Sequence, residues 1–66
     1  MPSTAIEHIS YDEAAGELHV KFVGGGTYTY FGVPRPVYDA FRAAPSKGAF
    51  LNNFIKTRYD FRRDAA

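Results

Sequence analysis

Glu17-Leu18-His19-Val20-Lys21-Phe22 alternates polar and apolar positions without a fault, the pattern of a half-buried antiparallel strand with Leu18, Val20 and Phe22 facing inward. Before it, Ala5 to Tyr11 reads as another strand. Ile6 and Ile9 are of opposite parity there, which predicts a bulge or an early bend. Asp12-Glu13-Ala14-Ala15-Gly16 is the turn between them, and the run Gly24-Gly25-Gly26 closes a second hairpin into Thr27 to Phe31. The expected product is a three-stranded antiparallel meander.

Hairpin parity decides where Tyr28 and Tyr30 point, because residues opposite each other on paired strands share a face. A three-residue loop, Gly24 to Gly26, sets Phe22 opposite Tyr28 and Val20 opposite Tyr30, and buries both rings. A two-residue loop, Gly24-Gly25, sets Lys21 opposite Tyr28 and His19 opposite Tyr30, and builds an open aromatic and basic platform. Thr27 and Thr29 alternate with the tyrosines as polar residues do on a solvent face, which favours burial. Two-residue loops are the commoner hairpin, which favours the platform.

Val33-Pro34-Arg35-Pro36 cannot continue a central strand, since neither proline offers an amide donor. A short helix is predicted from Pro34 to Pro36 onward, running to about Ala43 and stopping before Pro45. Val37, Phe41 and Ala44 form its apolar stripe, with Tyr38 beside it. Ser46 is a good N-cap for a second helix whose Phe50, Leu51, Phe54 and Ile55 keep one face apolar. Asn52, Lys56 and Tyr59 fall opposite, Asn53 at the edge, and Arg62 and Arg63 suit that helix's C-terminal end. The predicted architecture is α+β, three antiparallel strands followed by two helices packed on one face. Val37, Phe41, Phe50, Leu51, Phe54 and Ile55 supply the helical side of the core.

The chain has 66 residues and reads as one domain, with residues 1–4 and 64–66 expected to fray. A chain of this size buries only roughly 60% of the surface its unfolded form exposes. It contains no cysteine, so neither a disulfide nor a thiolate metal site supports the core, and six Phe and five Tyr must carry much of that load. Met1 to His8 offer no basic start and no apolar run long enough for export, so the expected compartment is the cytoplasm, with no membrane span. Net charge is +1, unevenly spread. Residues 1–33 carry four carboxylates against Lys21, whereas residues 34–66 carry seven cations against three carboxylates. That asymmetry fits either a polyanion-binding face or a solvated helical surface.

The order of these features resembles the KTSC domain, a family named after a C-terminal extension of some lysyl-tRNA synthetases and also found as small free-standing bacterial proteins. The matching pieces are Tyr11, the glycine turn, Tyr28-Thr29-Tyr30, Val33-Pro34 with Val37-Tyr38, Ser46-Lys47-Gly48, Phe50-Leu51-Asn52, Ile55-Lys56 and Tyr59 to Arg63. Tyr28 and Tyr30 serve chiefly as markers of the family. The resemblance implies a small domain of this architecture and a suggestion of RNA binding.

Three candidate constellations follow from the residues. Lys56, Arg58, Arg62 and Arg63, with Tyr59 and Phe61 interleaved, can combine phosphate contacts with base stacking on a basic C-terminal helix. The alternative for this segment is a pair of rings covering the core edge beneath solvated charges. Ser46-Lys47-Gly48 can form an anion seat at a helix start, with ordinary capping as the alternative. His8 and His19 on neighbouring strands suggest an acid and base pair as in small ribonucleases, against the simpler reading of surface histidines. Two histidines without cysteine make a poor zinc site, so no metal and no cofactor is expected. The expected function is a non-catalytic, monomeric binding module for RNA, either tRNA or single-stranded, through Lys47, Lys56, Arg58, Tyr59, Arg62 and Arg63. The alternative partner is a protein docking on the exposed sheet edge.

Overall fold

The computed structural model describes residues 6–64, so the fraying expected of residues 1–4 lies outside the described residues. Four antiparallel strands, β1 (Ile6–Asp12), β2 (Glu17–Phe22), β3 (Gly26–Tyr30) and β4 (Phe61–Asp64), form one sheet in the order β1-β2-β3-β4. Helix α1 (Arg35–Ala43) and a second helical segment cover one face. That segment begins as α2 (Lys47–Phe50) and continues without a break as a π-turn (Leu51–Ile55).

The bulge predicted from Ile6 and Ile9 is present. Ile6 pairs with Phe22 and His8 with Lys21, so Glu7 is the extra residue. The bulge restores parity, and Ile6, Ile9 and Tyr11 all pack against the core. Asp12 Oδ1 accepts from Ala15 N (3.3 Å) in the first turn.

The second hairpin has the parity of the three-residue loop, but its loop is Val23-Gly24-Gly25. Phe22 pairs with Gly26, Val20 with Tyr28 and Leu18 with Tyr30, two residues out of the expected register. The physical reason lies in the turn. Gly25 N donates to Phe22 O (3.3 Å), and Gly24, third in that turn, takes φ +71°, a conformation open to glycine but not to Val23. Both tyrosines therefore face the helices, Tyr30 buried and Tyr28 half-buried, and no open tyrosine platform forms.

Burial first, and the neighbouring Tyr28 phenol second, push the Tyr30 phenol up to about 12 from an ordinary 10.0. The unfolded chain ionises this group near 10 and the folded one only near 12, so its contribution to stability is intact below pH 10 and is lost as pH rises between the two. Tyr30→Phe is expected to flatten that alkaline limb in urea midpoints measured from pH 9 to pH 12. An alkaline limb identical to wild type would contradict the burial of this hydroxyl.

The helices begin and end where local chemistry directs. Pro36 sits in the first turn of α1, Pro34 O accepts from Val37 N (3.0 Å), and Ala44 before Pro45 is extended. Ser46 Oγ accepts from Ala49 N (3.3 Å), capping α2 as expected. Leu51 O then accepts from Lys56 N (2.8 Å), the i→i+5 bond of the π-turn. A wider turn rotates less per residue, so Ile55 comes into line with Leu51 while Phe54 lags to the side. Leu51, Ile55 and Phe41 are fully buried and Val37 and Phe50 pack beside them, but Phe54 is 47% exposed, a correction to its predicted place in the core.

The largest departure from expectation is β4. The helical segment ends at Ile55, residues 56–59 turn, and Phe61 to Asp64 pair with β3. Arg62 and Arg63 are therefore not on a helix, and Asp64, expected to fray, is hydrogen-bonded. Ile55 O accepts from both Arg58 N and Tyr59 N (3.1 Å each), and Asp60 O accepts from Phe31 N (2.9 Å), which aims the chain along the free edge of β3. Unpaired backbone groups on β3 beside the buried Tyr30 are costly, and the fourth strand satisfies them.

Candidate nucleic-acid interface

Strand alternation sends Arg62 and Arg63 to opposite faces of the sheet. Arg63, opposite Tyr28, lies on the helix side, and its guanidinium sits 6.0 Å from the Tyr28 ring centre. Arg62, opposite Thr29, lies on the open side, where Asp64 Oδ1 accepts from its Nε (2.9 Å). The six candidate residues therefore do not form one helical patch.

Ion pairing divides the cations further. Arg35 pairs with Glu13 (3.0 Å) and Asp39 (3.2 Å), Arg42 with Asp39 (3.9 Å), Lys21 with Glu7 (3.7 Å) and Arg62 with Asp64. Lys47, Lys56, Arg58 and Arg63 have no carboxylate partner among the described residues. Lys56 and Arg58 share one cleft, and Lys56 and Arg63 each lie beside Tyr28. Lys56 lies beside Phe22, Gly25 and Tyr28 in a depression of about 200 Å³, and also lines a cleft of about 480 Å³ with Thr57, Arg58, Tyr59, Asp60 and Phe61, where Asp60 makes no ion pair with either cation. The Phe61 ring packs 5.6 Å from Tyr28 and 5.8 Å from Tyr30 yet stays 55% exposed. Lys56, Arg58 and Arg63 thus surround exposed aromatic edges.

Lys47 stands apart, at the other end of the second helical segment. It lines a cleft of about 250 Å³ with Ile6, Glu7, His8 and Ile9, so a carboxylate shares its surroundings. Ser46 Oγ is engaged by Ala49 N, and Gly48 O accepts from Leu51 N. The Ser46-Lys47-Gly48 turn acts here as a cap.

The open face carries a polar chain that the sequence reading did not assemble. Glu17 Oε1 lies 3.6 Å from His19 Nε2, His19 Nδ1 is 2.9 Å from Thr29 Oγ1, and Asp64 Oδ2 accepts from the Thr29 hydroxyl (3.1 Å). The hydroxyl has one proton and gives it to the carboxylate, so His19 must donate through Nδ1. The Arg62 hydrogen bond, then that of Thr29, hold the Asp64 carboxyl below its ordinary value. Base, hydroxyl and acid stand in a catalytic-looking order, but Thr29 is fully buried, so no substrate reaches its oxygen. The chain clamps β2, β3 and β4 together. His8 lies opposite Lys21 and His19 opposite Ser10, on the same face. Among the described residues no group of three or more His, Asp or Glu is placed to hold a metal, and no helix is long and apolar enough to cross a membrane.

Phe61 and Tyr28 were not legible as one surface. Phe61 is separated from Tyr28 by more than thirty positions, and a four-residue strand is too short for periodicity to reveal.

Fold and site together define a small α+β domain with a helix-covered antiparallel sheet and an aromatic, basic rim. The chain belongs to the KTSC domain family, whose model matches residues 2–59, ending just before β4. A crystal structure of a KTSC domain protein from Yersinia pestis superposes with a TM-score of 0.89 at 35% identity, over 98% of this chain and 90% of that one. A protein of Tsukamurella paurometabola is 46% identical over 57 residues, 86% of this chain and 85% of the relative. A lysine–tRNA ligase of Nostoc punctiforme is 38% identical over 58 residues, 88% of this chain but 10% of the ligase.

Proposed function

We propose that the domain is a cytoplasmic, non-catalytic module that binds single-stranded RNA along the rim formed by Lys56, Arg58, Tyr59, Phe61, Tyr28 and Arg63. The observation that carries this reading is that three of the four cations without an ion-paired carboxylate, Lys56, Arg58 and Arg63, lie beside exposed ring edges. Phosphates need uncompensated charge, and unstacked bases need aromatic faces. Arginine adds a planar group that stacks as well as pairs. The likeness to part of a lysine–tRNA ligase supports an RNA partner, since the same sequence pattern occurs within a protein named for acting with tRNA.

Fluorescence anisotropy with a labelled single-stranded RNA, repeated from 50 to 300 mM salt, tests the reading. Three phosphate contacts predict that log affinity falls with log salt at a slope of about 2. Lys56→Ala with Arg63→Ala should bring the slope below about 1, because two of three counterion-releasing contacts are gone. A wild-type slope near zero, or no binding at low salt, would overturn the proposal.

A further inference from the structure

We infer that the groove between the two helices is a stacking slot for one unstacked nucleobase of the bound strand, an inference that rests on the RNA reading above. The groove has a volume of about 370 Å³ and is walled by Pro36, Val37, Phe50, Phe54 and Tyr59, with Arg58 at its rim. Phe41, Phe50 and Phe54 form a row of rings from core to surface, their centres 5.7 Å and 5.0 Å apart. The inner ring is fully buried and the outer one 47% exposed. The π-turn leaves the outer ring open, since an ordinary α-helical continuation would bring Phe54 closer to the line of Leu51 and Ile55.

Charge and shape point to a nucleotide as occupant. The walls are aromatic and apolar and take a flat, weakly hydrated surface. Arg58, 5.9 Å from the Phe54 ring centre and without a carboxylate partner among the described residues, takes an anion beside that surface. A base with its phosphate presents both at that spacing. Arg58 and Tyr59 line this groove and also the cleft that holds Lys56 and Phe61, so one strand passes continuously from rim to slot. The polar side-chain groups of the lining are the Arg58 guanidinium and the Tyr59 hydroxyl, with no carboxylate or amide among them.

Amide-shift titrations with guanosine monophosphate, adenosine monophosphate and ribose 5-phosphate, together with RNA affinities of Phe54 variants, test the slot. Guanosine and adenosine monophosphate are both expected to shift Val37, Ala40 and Phe50, since stacking on the ring faces tolerates either base, and ribose 5-phosphate to leave them in place. Phe54→Ala and Phe54→Leu should each weaken RNA binding by about 10-fold, the loss of one base–ring stack, with the salt slope unchanged. The Phe54→Leu melt should stay close to wild type, because the ring is half in solvent and leucine keeps its covered part apolar. RNA bound equally well by both variants overturns the slot and leaves the rim reading standing. RNA bound by no form of the protein overturns both. Groove amides that respond to an acidic, aromatic peptide and not to the nucleotides also overturn the slot.

Discussion

Phe41→Ala is expected to abolish cooperative folding at 25 °C. Phe41 has no exposed surface, and its ring packs 5.7 Å from Phe50 in the layer where α1 meets the second helical segment. Truncating a buried phenylalanine costs about 3–5 kcal/mol, part transfer free energy and part cavity. At roughly 0.05–0.15 kcal/mol per residue, a chain of 66 residues has on the order of 3–10 kcal/mol in total. No disulfide holds it together. The loss therefore matches most of the stability available. Urea titration followed by far-ultraviolet circular dichroism reads the outcome. Wild type should show a single transition, Phe41→Ala a shallow slope without a folded baseline, and Phe41→Leu an intermediate midpoint, since an apolar replacement nearer in volume is better tolerated. A Phe41→Ala midpoint within 0.3 M of wild type would show that the site collapses around the missing ring.

Ending the chain after Asp60 is expected to lower stability by about 3 kcal/mol. The truncation removes four cross-strand pairs of β4 with β3, from Tyr30–Phe61 to Thr27–Asp64, each worth roughly 0.2–1 kcal/mol. It also takes away the carboxylate that accepts from the Thr29 hydroxyl, a group with no exposure in the folded chain, at a further cost of about 1–3 kcal/mol if left unmade. Partial rehydration of that hydroxyl as β3 becomes an edge limits the loss to the lower half of the combined range. Thermal unfolding of the truncated and full chains makes the comparison, and hydrogen exchange at Thr27 and Thr29 locates it. A melt unchanged by the truncation would mean that β4 lies on the sheet without contributing to it. This test also bears on function, since Phe61 and Arg63 leave with the strand while Lys56 and Arg58 remain.

The parts of the fold that local pattern could announce were legible. Leu18, Val20 and Phe22 alternate over a full strand, the parity conflict of Ile6 and Ile9 marks the bulge, and Ser46 caps the second helix. The candidate site was legible only as an inventory. Lys56, Arg58, Tyr59, Arg62 and Arg63 are visible in the chain, but their grouping on a helix assumed that the helical pattern ran through Asp60. One change of element moved Arg62 to the open face and into a carboxylate's reach, and left Arg63 beside Tyr28. Phe54 shows the same limit on a smaller scale, since its spacing suits the core face of an α-helix and only the π-turn turns it outward.

By itself the sequence determined the α+β class, the order of the first three strands and the limits of α1, because strand alternation, prolines and capping side chains act over a few residues; the inward face of Tyr28 and Tyr30 followed only from the folded register. The tertiary structure decided the register of the glycine hairpin, the π-turn, the fourth strand and which cations keep their charge uncompensated. Those depend on groups far apart in the chain. The free edge of β3 recruits residues more than thirty positions away, and a carboxylate such as Asp64 neutralises whichever arginine the folded strand brings within hydrogen-bond distance.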